Sequence, residues 1–419
     1  MPVRITASIR HAVTLLALFL GALCGVGHAA GAQAAAPPAL QPPQPDPAFP
    51  KLFPRYSGLN GYEDLVAAAD LIQRNEAAEA AEKPEATLQD MRKALEDRNV
   101  DRALQLLRAG LDKPIESPRD PDKLDENTLM PELPEMRALA RLLAVQEYVY
   151  LADGQVGRAI DTLRDGLRLG YVVQTDLLIG GLVGIAIDQI VLTRFAEHFD
   201  EMALRDCIHL VAVAHEWLKS PRRTEGVLTR EHRALLNMLE AWKSDPQRLR
   251  SIVKMMQPAG DPASGADIAA IELNAFVNMP GAAIPAMLDE TRSIAEFEDR
   301  KLLAEIRKPV WERKPAAPYE QRATMATRLY GMISPTYGQA LGRFDVEAAL
   351  IHLLGVHAAI RRYRWEHGRL PSSLADLELP AMIIDPFTGG PLLYKLSGAT
   401  FELSSAGAIG PVTLPRKVQ

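Results

Sequence analysis

The chain has 419 residues, of which 47% are hydrophobic and only 6% aromatic, and it carries a formal net charge of −6. Positive and negative side chains are mixed along its length. That argues against nucleic acid or an anionic membrane surface as the partner.

The first element is a secretory signal peptide, predicted over residues 1–34. Arg4 and Arg10 give it a positive start, and residues 13–26 are apolar apart from Thr14. The run is shorter than the roughly 20 residues that span a bilayer, so a cleaved signal is expected rather than an anchor. Two small-residue cleavage patterns follow, Gly27-His28-Ala29 and Ala32-Gln33-Ala34. Leu23 stands where a lipobox before Cys24 needs a small residue, so lipidation is not expected. Removal of two arginines and no acid moves the charge to −8. It leaves Cys207 as the single cysteine, which excludes an internal disulfide. Cys207 lies among Ile208, Leu210 and Val211 and reads as a small buried hydrophobe. These features predict an exported protein, periplasmic or secreted.

Residues 35–58 are rich in proline and alanine and read as an extended linker. A helical domain built of αα-hairpins is predicted over residues 59–308, a proline-bearing connector over 309–322, and a long helix followed by a small β-hairpin module over 323–419. The fold class is therefore mostly α, a helical-hairpin array or bundle with a small C-terminal α+β module.

Within the helical region, residues 99–111 parallel residues 155–167: valine, alanine and leucine or isoleucine recur at helical spacing, with arginines on the other face. Each reads as the second helix of a hairpin. The later copy resembles a tetratricopeptide hairpin through Tyr150, Gly154, Ala159, Leu163 and Gly166. Leu143 stands where that repeat has tryptophan, and the two copies are farther apart than its period of about 34 residues. The resemblance implies a surface that binds peptides or partner proteins.

Residues 177–192 form the most apolar stretch after the signal peptide, with Gly180, Gly181, Gly184 and Ala186 suited to close helix crossing. Asp188 and Gln189 interrupt the run, so a buried core helix capped by Asp176 is expected rather than a membrane span. Amphipathic helices are predicted over 206–218 and 230–242, separated by Lys219-Ser220-Pro221. Residues 257–285 read as a surface excursion. Asp345 is the expected cap of the long helix, which ends near Gly368, with Val346, Ala349, Leu350, Leu353, Leu354, Val356, Ile360 and Tyr363 on its apolar face.

The tail carries the most specific pattern. Arg369, Pro371, Leu374 and Leu377 belong to a turn and short helix, and Asp385-Pro386-Phe387-Thr388-Gly389-Gly390-Pro391 reads as a tight turn. Residues 392–396 and 400–404 alternate as strands, joined by a three-residue loop of Ser397, Gly398 and Ala399. Phe387 is expected to pack on the long helix near Ile360 and Tyr363. With Tyr394, Ser405 and Gly407, these residues resemble the C-terminal half of type II secretion major pseudopilins. That family closes with an aspartate-rich calcium loop, whereas residues 406–410 here hold no carboxylate, so no calcium is expected. The chain is similar in kind to exported bacterial proteins of unknown function that join such a tail to a tetratricopeptide-like body.

No catalytic, cofactor-binding or metal-binding constellation is predicted. His209 and His215 are six apart and His352 and His357 five apart, off one helix face, while Glu231 and His232 are adjacent. Neither a nucleophile elbow nor a phosphate loop occurs. Glu231, Asp188 and Asp176 are carboxylates that could pair across helices. The leading expectation is a non-catalytic interaction or structural protein, whose partner is another envelope protein or peptide. The alternatives are an envelope hydrolase with carboxylates between helices, and a secretion-system accessory that docks through the tail.

Overall fold

A computed structural model describes residues 58–83, 85–125, 128, 130–196, 198–255, 275–314, 324–334 and 337–414. The signal-peptide and linker expectations, apart from Gly58, lie outside the described residues, as does most of the 257–285 segment.

Local signals set the first helices. Helix α1 (Gly61–Ile72) is capped by Asn60, whose side chain accepts from the Tyr62 amide at 3.0 Å. Asn75 caps α2 (Glu76–Ala81), Thr87 and Asp90 form a capping box on α3 (Leu88–Leu95), and Asp97 caps α4 (Arg98–Leu111). Helix α4 packs on α1 rather than in a hairpin with its immediate predecessor. The reason is steric: a Cβ on Gly110 would lie 2.8 Å from the Gly61 carbonyl oxygen, so only paired glycines allow this approach.

Helices α5 (Glu132–Ala152) and α6 (Val156–Val173) do form the expected hairpin, turning at Gly154 with φ +69°. Helix α7 (Leu178–Ala196) is the apolar stretch, and it packs on both of them. Among the described residues it is the one helix long and apolar enough to cross a membrane, by length and composition alone. In the fold it is largely buried. Ile187, Val191, Leu192 and Phe195 sit in the main core, and Gly181 faces the Phe344 ring.

Helix α8 (Leu204–Lys219) lies along the long helix α13 (Tyr337–His367), the most extensive pairing between two helices. The main hydrophobic core runs from α1 through α8 into α13 and the tail. A second core joins α9 (Thr224–Ser244), α10 (Pro246–Met255), α11 (Ile284–Ile306) and α12 (Met325–Ile333) around Trp242, Phe276, Leu288 and Leu329.

Two caps differ from expectation. The long helix begins eight residues before Asp345, which is instead held by Arg313 at 3.0 Å to both carboxylate oxygens. Asp176 does not cap α7. It is 3.1 Å from Arg119 in a buried network where Arg119 also meets Glu132 at 2.6 Å, and Tyr62 donates to Glu132 at 2.6 Å. The α7 start is held by Glu231, which accepts from the Leu178 amide at 2.8 Å. An arginine stranded on the irregular segment after α4 thus competes for Asp176 and wins, because a buried guanidinium needs charged partners.

In the tail, Gly368 takes φ +67° after α13, as expected. Strands β1 (Leu393–Ser397) and β2 (Thr400–Ser404) pair antiparallel with Ser397 opposite Thr400. The loop is therefore two residues, Gly398 and Ala399, not three, and Gly398 supplies the positive φ (+62°) such a turn needs. Leu374, Leu377, Met382, Leu392 and Leu403 carry the tail onto the core. Phe387 is only half-buried and is not among those core residues. The space on α13 is taken by Met382, whose sulfur abuts Gly355.

Candidate functional site

A cleft of about 590 Å³ opens where the α8–α9 turn, the middle of α13 and residues 378–382 of the tail meet. That volume is within the range of small-ligand and peptide sites. The turn arises because Pro221 ends α8 and lets α9 restart at Thr224. It supplies Trp217, Lys219, Arg222 and Arg223 to one wall. Leu379, Pro380, Ala381 and Met382 form the other, and Phe344, Glu347 and Ala348 of α13 lie between. The lining is mostly apolar with a basic edge.

Glu347 lies at the floor, 2% exposed. Its Oε1 accepts from the Gln174 amide at 2.6 Å. Behind it, fully buried, is Asp188 of α7. Desolvation and the neighbouring Glu347 charge push the Asp188 carboxyl far up, so Asp188 holds its proton. Burial raises Glu347 as well, to about 7, against the lowering effect of its Gln174 and Asp188 contacts. Near neutral pH the pair therefore carries the Asp188 proton and part of a second one on Glu347.

Three side chains order the rim. Arg313 takes both oxygens of Asp345 at 3.0 Å, leaving Arg222 at 3.7 Å, beyond hydrogen-bond distance. Arg223 stacks over the Tyr171 ring, 4.2 Å from its centroid. His352 bonds the Met382 carbonyl oxygen through Nδ1 at 2.7 Å, tying the tail to α13. Burial lowers the His352 pKa, which keeps its ring neutral.

The three carboxylates singled out in the sequence do not meet one another. Asp188 pairs with Glu347, Asp176 with Arg119, and Glu231 caps α7, its pKa raised by burial. The histidines are equally dispersed. His209 is 3.5 Å from Asp161, His232 3.8 Å from Asp299, and His357 stacks on Phe199 at 4.2 Å with Phe401 tilted against it at 4.9 Å. Of the histidines weighed, His215 and His352 line the cleft. No group of three or more metal-ligating side chains occurs among the described residues. Cys207 is fully buried, and desolvation raises its thiol to about 11. Gly180 and Gly184 serve packing, against the Val173 and Gly170 carbonyls.

Sequence reasoning missed Glu347 and Gln174. The signal for Glu347 was its register: it precedes Leu350, Ile351 and Leu354 at helical spacing, on the stripe that is buried. An acid in that stripe calls for a partner. Gln174, just past the end of α6, carried no such signal.

No family model, curated protein or solved structure matches the chain. Among the described residues the geometry is that of a helical scaffold with an apolar, basic-edged cleft.

Proposed function

We propose that this is an exported, non-catalytic interaction protein that holds a segment of an envelope partner in the cleft between the α8–α9 turn and the tail. The observation that carries the reading is the cleft itself. It is apolar along most of its lining, and it is framed by two structural units that His352 fixes together. Residues 13–26 support export, and the hairpin of α5 and α6 is of the kind that peptide-binding scaffolds use. A photo-crosslinking residue placed at Ala381, exposed on the cleft wall, should give a discrete adduct with one envelope protein. The same residue at Phe297, exposed on α11 and away from the cleft lining, should not. Equal labelling at both positions, or none at Ala381, contradicts the reading.

A second reading, an envelope hydrolase, is favoured by the Asp188–Glu347 pair, since two neighbouring buried carboxyls are a familiar acid–base arrangement. Asp188 lies behind Glu347 with no exposed surface, so a molecule in the cleft meets Glu347 and not Asp188. Hydrolysis of ester or peptide substrates that disappears in Glu347→Gln would establish it over the binding reading.

A further inference from the structure

The basic side of the cleft continues into a smaller cavity of about 220 Å³, and Tyr171, Trp217, Ser220 and Arg223 line both. At that seam two donors, the Trp217 indole Nε1 and the Arg223 Nε, are buried without a hydrogen-bond acceptor. An orphaned buried donor costs free energy, so native structures retain few of them without a reason. Two on one wall, beside Arg222 and Lys219, call for an acceptor that arrives from outside. The opposite lip is apolar, formed by Leu379, Pro380 and Met382.

We propose that this seam captures the free α-carboxylate of a peptide chain end, with the last apolar side chains laid along the tail-side wall. The inference rests on the interaction reading above and adds the chemistry of the partner. A carboxylate has two acceptor oxygens, enough for both orphaned donors at once. Its charge complements Arg222, Arg223 and Lys219. Three acids line the two cavities against it: Glu378 on the exposed lip, Glu216 on the exposed edge of the smaller cavity, and Glu347 on the floor. Glu347 is half neutralised near pH 7 by the proton it takes up and is already engaged by Gln174 and Asp188, so it opposes an incoming anion only weakly. Recognition of a chain terminus by converging donors is an established mode of peptide binding.

The test uses the full mature chain and an equimolar pool of N-acetylated tetrapeptides whose last two residues are Leu, Phe, Val or Met. One pool has free carboxylates and one C-terminal amides, and bound peptide is read by mass spectrometry after equilibrium dialysis. The free acids should bind about tenfold more tightly than the amides. Trp217→Phe, which keeps an aromatic ring but removes the N–H donor, should weaken the acids more than the amides. Arg223→Gln should abolish the preference for the acids. Dodecanoate, a carboxylate on an alkyl chain, should compete poorly. Equal binding of acids and amides overturns the carboxylate assignment while leaving the cleft as a docking site. Dodecanoate that outcompetes every peptide overturns the peptide assignment in favour of a lipid. Absence of binding by either pool at millimolar concentration overturns the proposal; the cross-link at Ala381 then decides separately whether the cleft binds a partner at all.

Discussion

Gln174 donates its side-chain amide to Glu347 across 2.6 Å, joining the end of α6 to the middle of α13 beneath the cleft. The contact places a polar junction where two core helices would otherwise meet through apolar side chains. It also fixes the orientation of an acid that Asp188 supports from behind. The floor of the cleft is thereby rigid, and its charge state depends on pH near neutrality.

That dependence has a definite sign. Glu347 ionises near 7 in the fold and near 4.5 in an unfolded chain. The native state therefore holds a proton between those values that the unfolded chain has released. The associated stability is fully present below about pH 4.5 and is lost as pH rises through 7. Glu347→Gln removes the titrating group. Denaturation at pH 5 and pH 8 should show the wild type losing about 2 kcal/mol more than this variant across the interval. Parallel pH profiles would contradict the assignment.

The Arg119 network makes a separate prediction. Arg119 is fully buried between Glu132 and Asp176. Arg119→Ala leaves both carboxylates buried without a counter-charge and should cost about 3–5 kcal/mol in urea denaturation. Arg164→Ala serves as a control, because its contact with Asp161 is 3.6 Å long and largely exposed; it should cost less than about 1 kcal/mol.

Helix positions followed from periodicity: α4, α6, α7 and α8 run close to the patterned segments at 99–111, 155–167, 177–192 and 206–218. The failures were contests between partners. Asp176 and Asp345 both looked like caps, and both were drawn away by arginines, Arg119 and Arg313, that lie 57 and 32 residues distant. Sequence periodicity contains no term for such distant competition. The cleft was illegible for the same reason, since its walls come from residues 171–224, 344–352 and 378–382.

The glycines offer a test of the α6–α7 crossing. A Cβ on Gly170 would lie 2.8 Å from the Gly184 carbonyl oxygen, and one on Gly184 would meet Gln174 and the Gly170 carbonyl. Gly184→Leu should therefore overpack the crossing and cost about 1–3 kcal/mol. Gly342, on α13, has nothing within 4 Å of its built Cβ. Gly342→Ala should raise stability by about 0.5–1 kcal/mol through helix propensity alone. Thermal melts of both variants decide the matter; equal effects would mean that the α6–α7 contact is looser than described.

In the tail, Asp385 is fully buried and accepts from the Phe387 amide at 2.9 Å, the Ser405 hydroxyl at 2.8 Å and the Ala406 amide at 2.7 Å. It stitches the turn to the segment that follows β2. Asp385→Ala should cost about 3 kcal/mol, more than a simple turn residue would. Phe387→Ala should cost only about 1 kcal/mol, because its ring is half-exposed. With all three donors already satisfied by Asp385 and no carboxylate in residues 406–410, added calcium should leave the melting temperature unchanged. A clear rise with calcium would contradict the metal-free reading of the tail.

Hydrogen–deuterium exchange on the full chain, with and without the free-acid tetrapeptide pool, decides whether the cleft is the surface that binds. Protection should be confined to peptides covering residues 217–224 and 378–382, with little change elsewhere. Protection centred on α1–α4 or on α9–α12, with the cleft segments unaltered, would contradict that assignment.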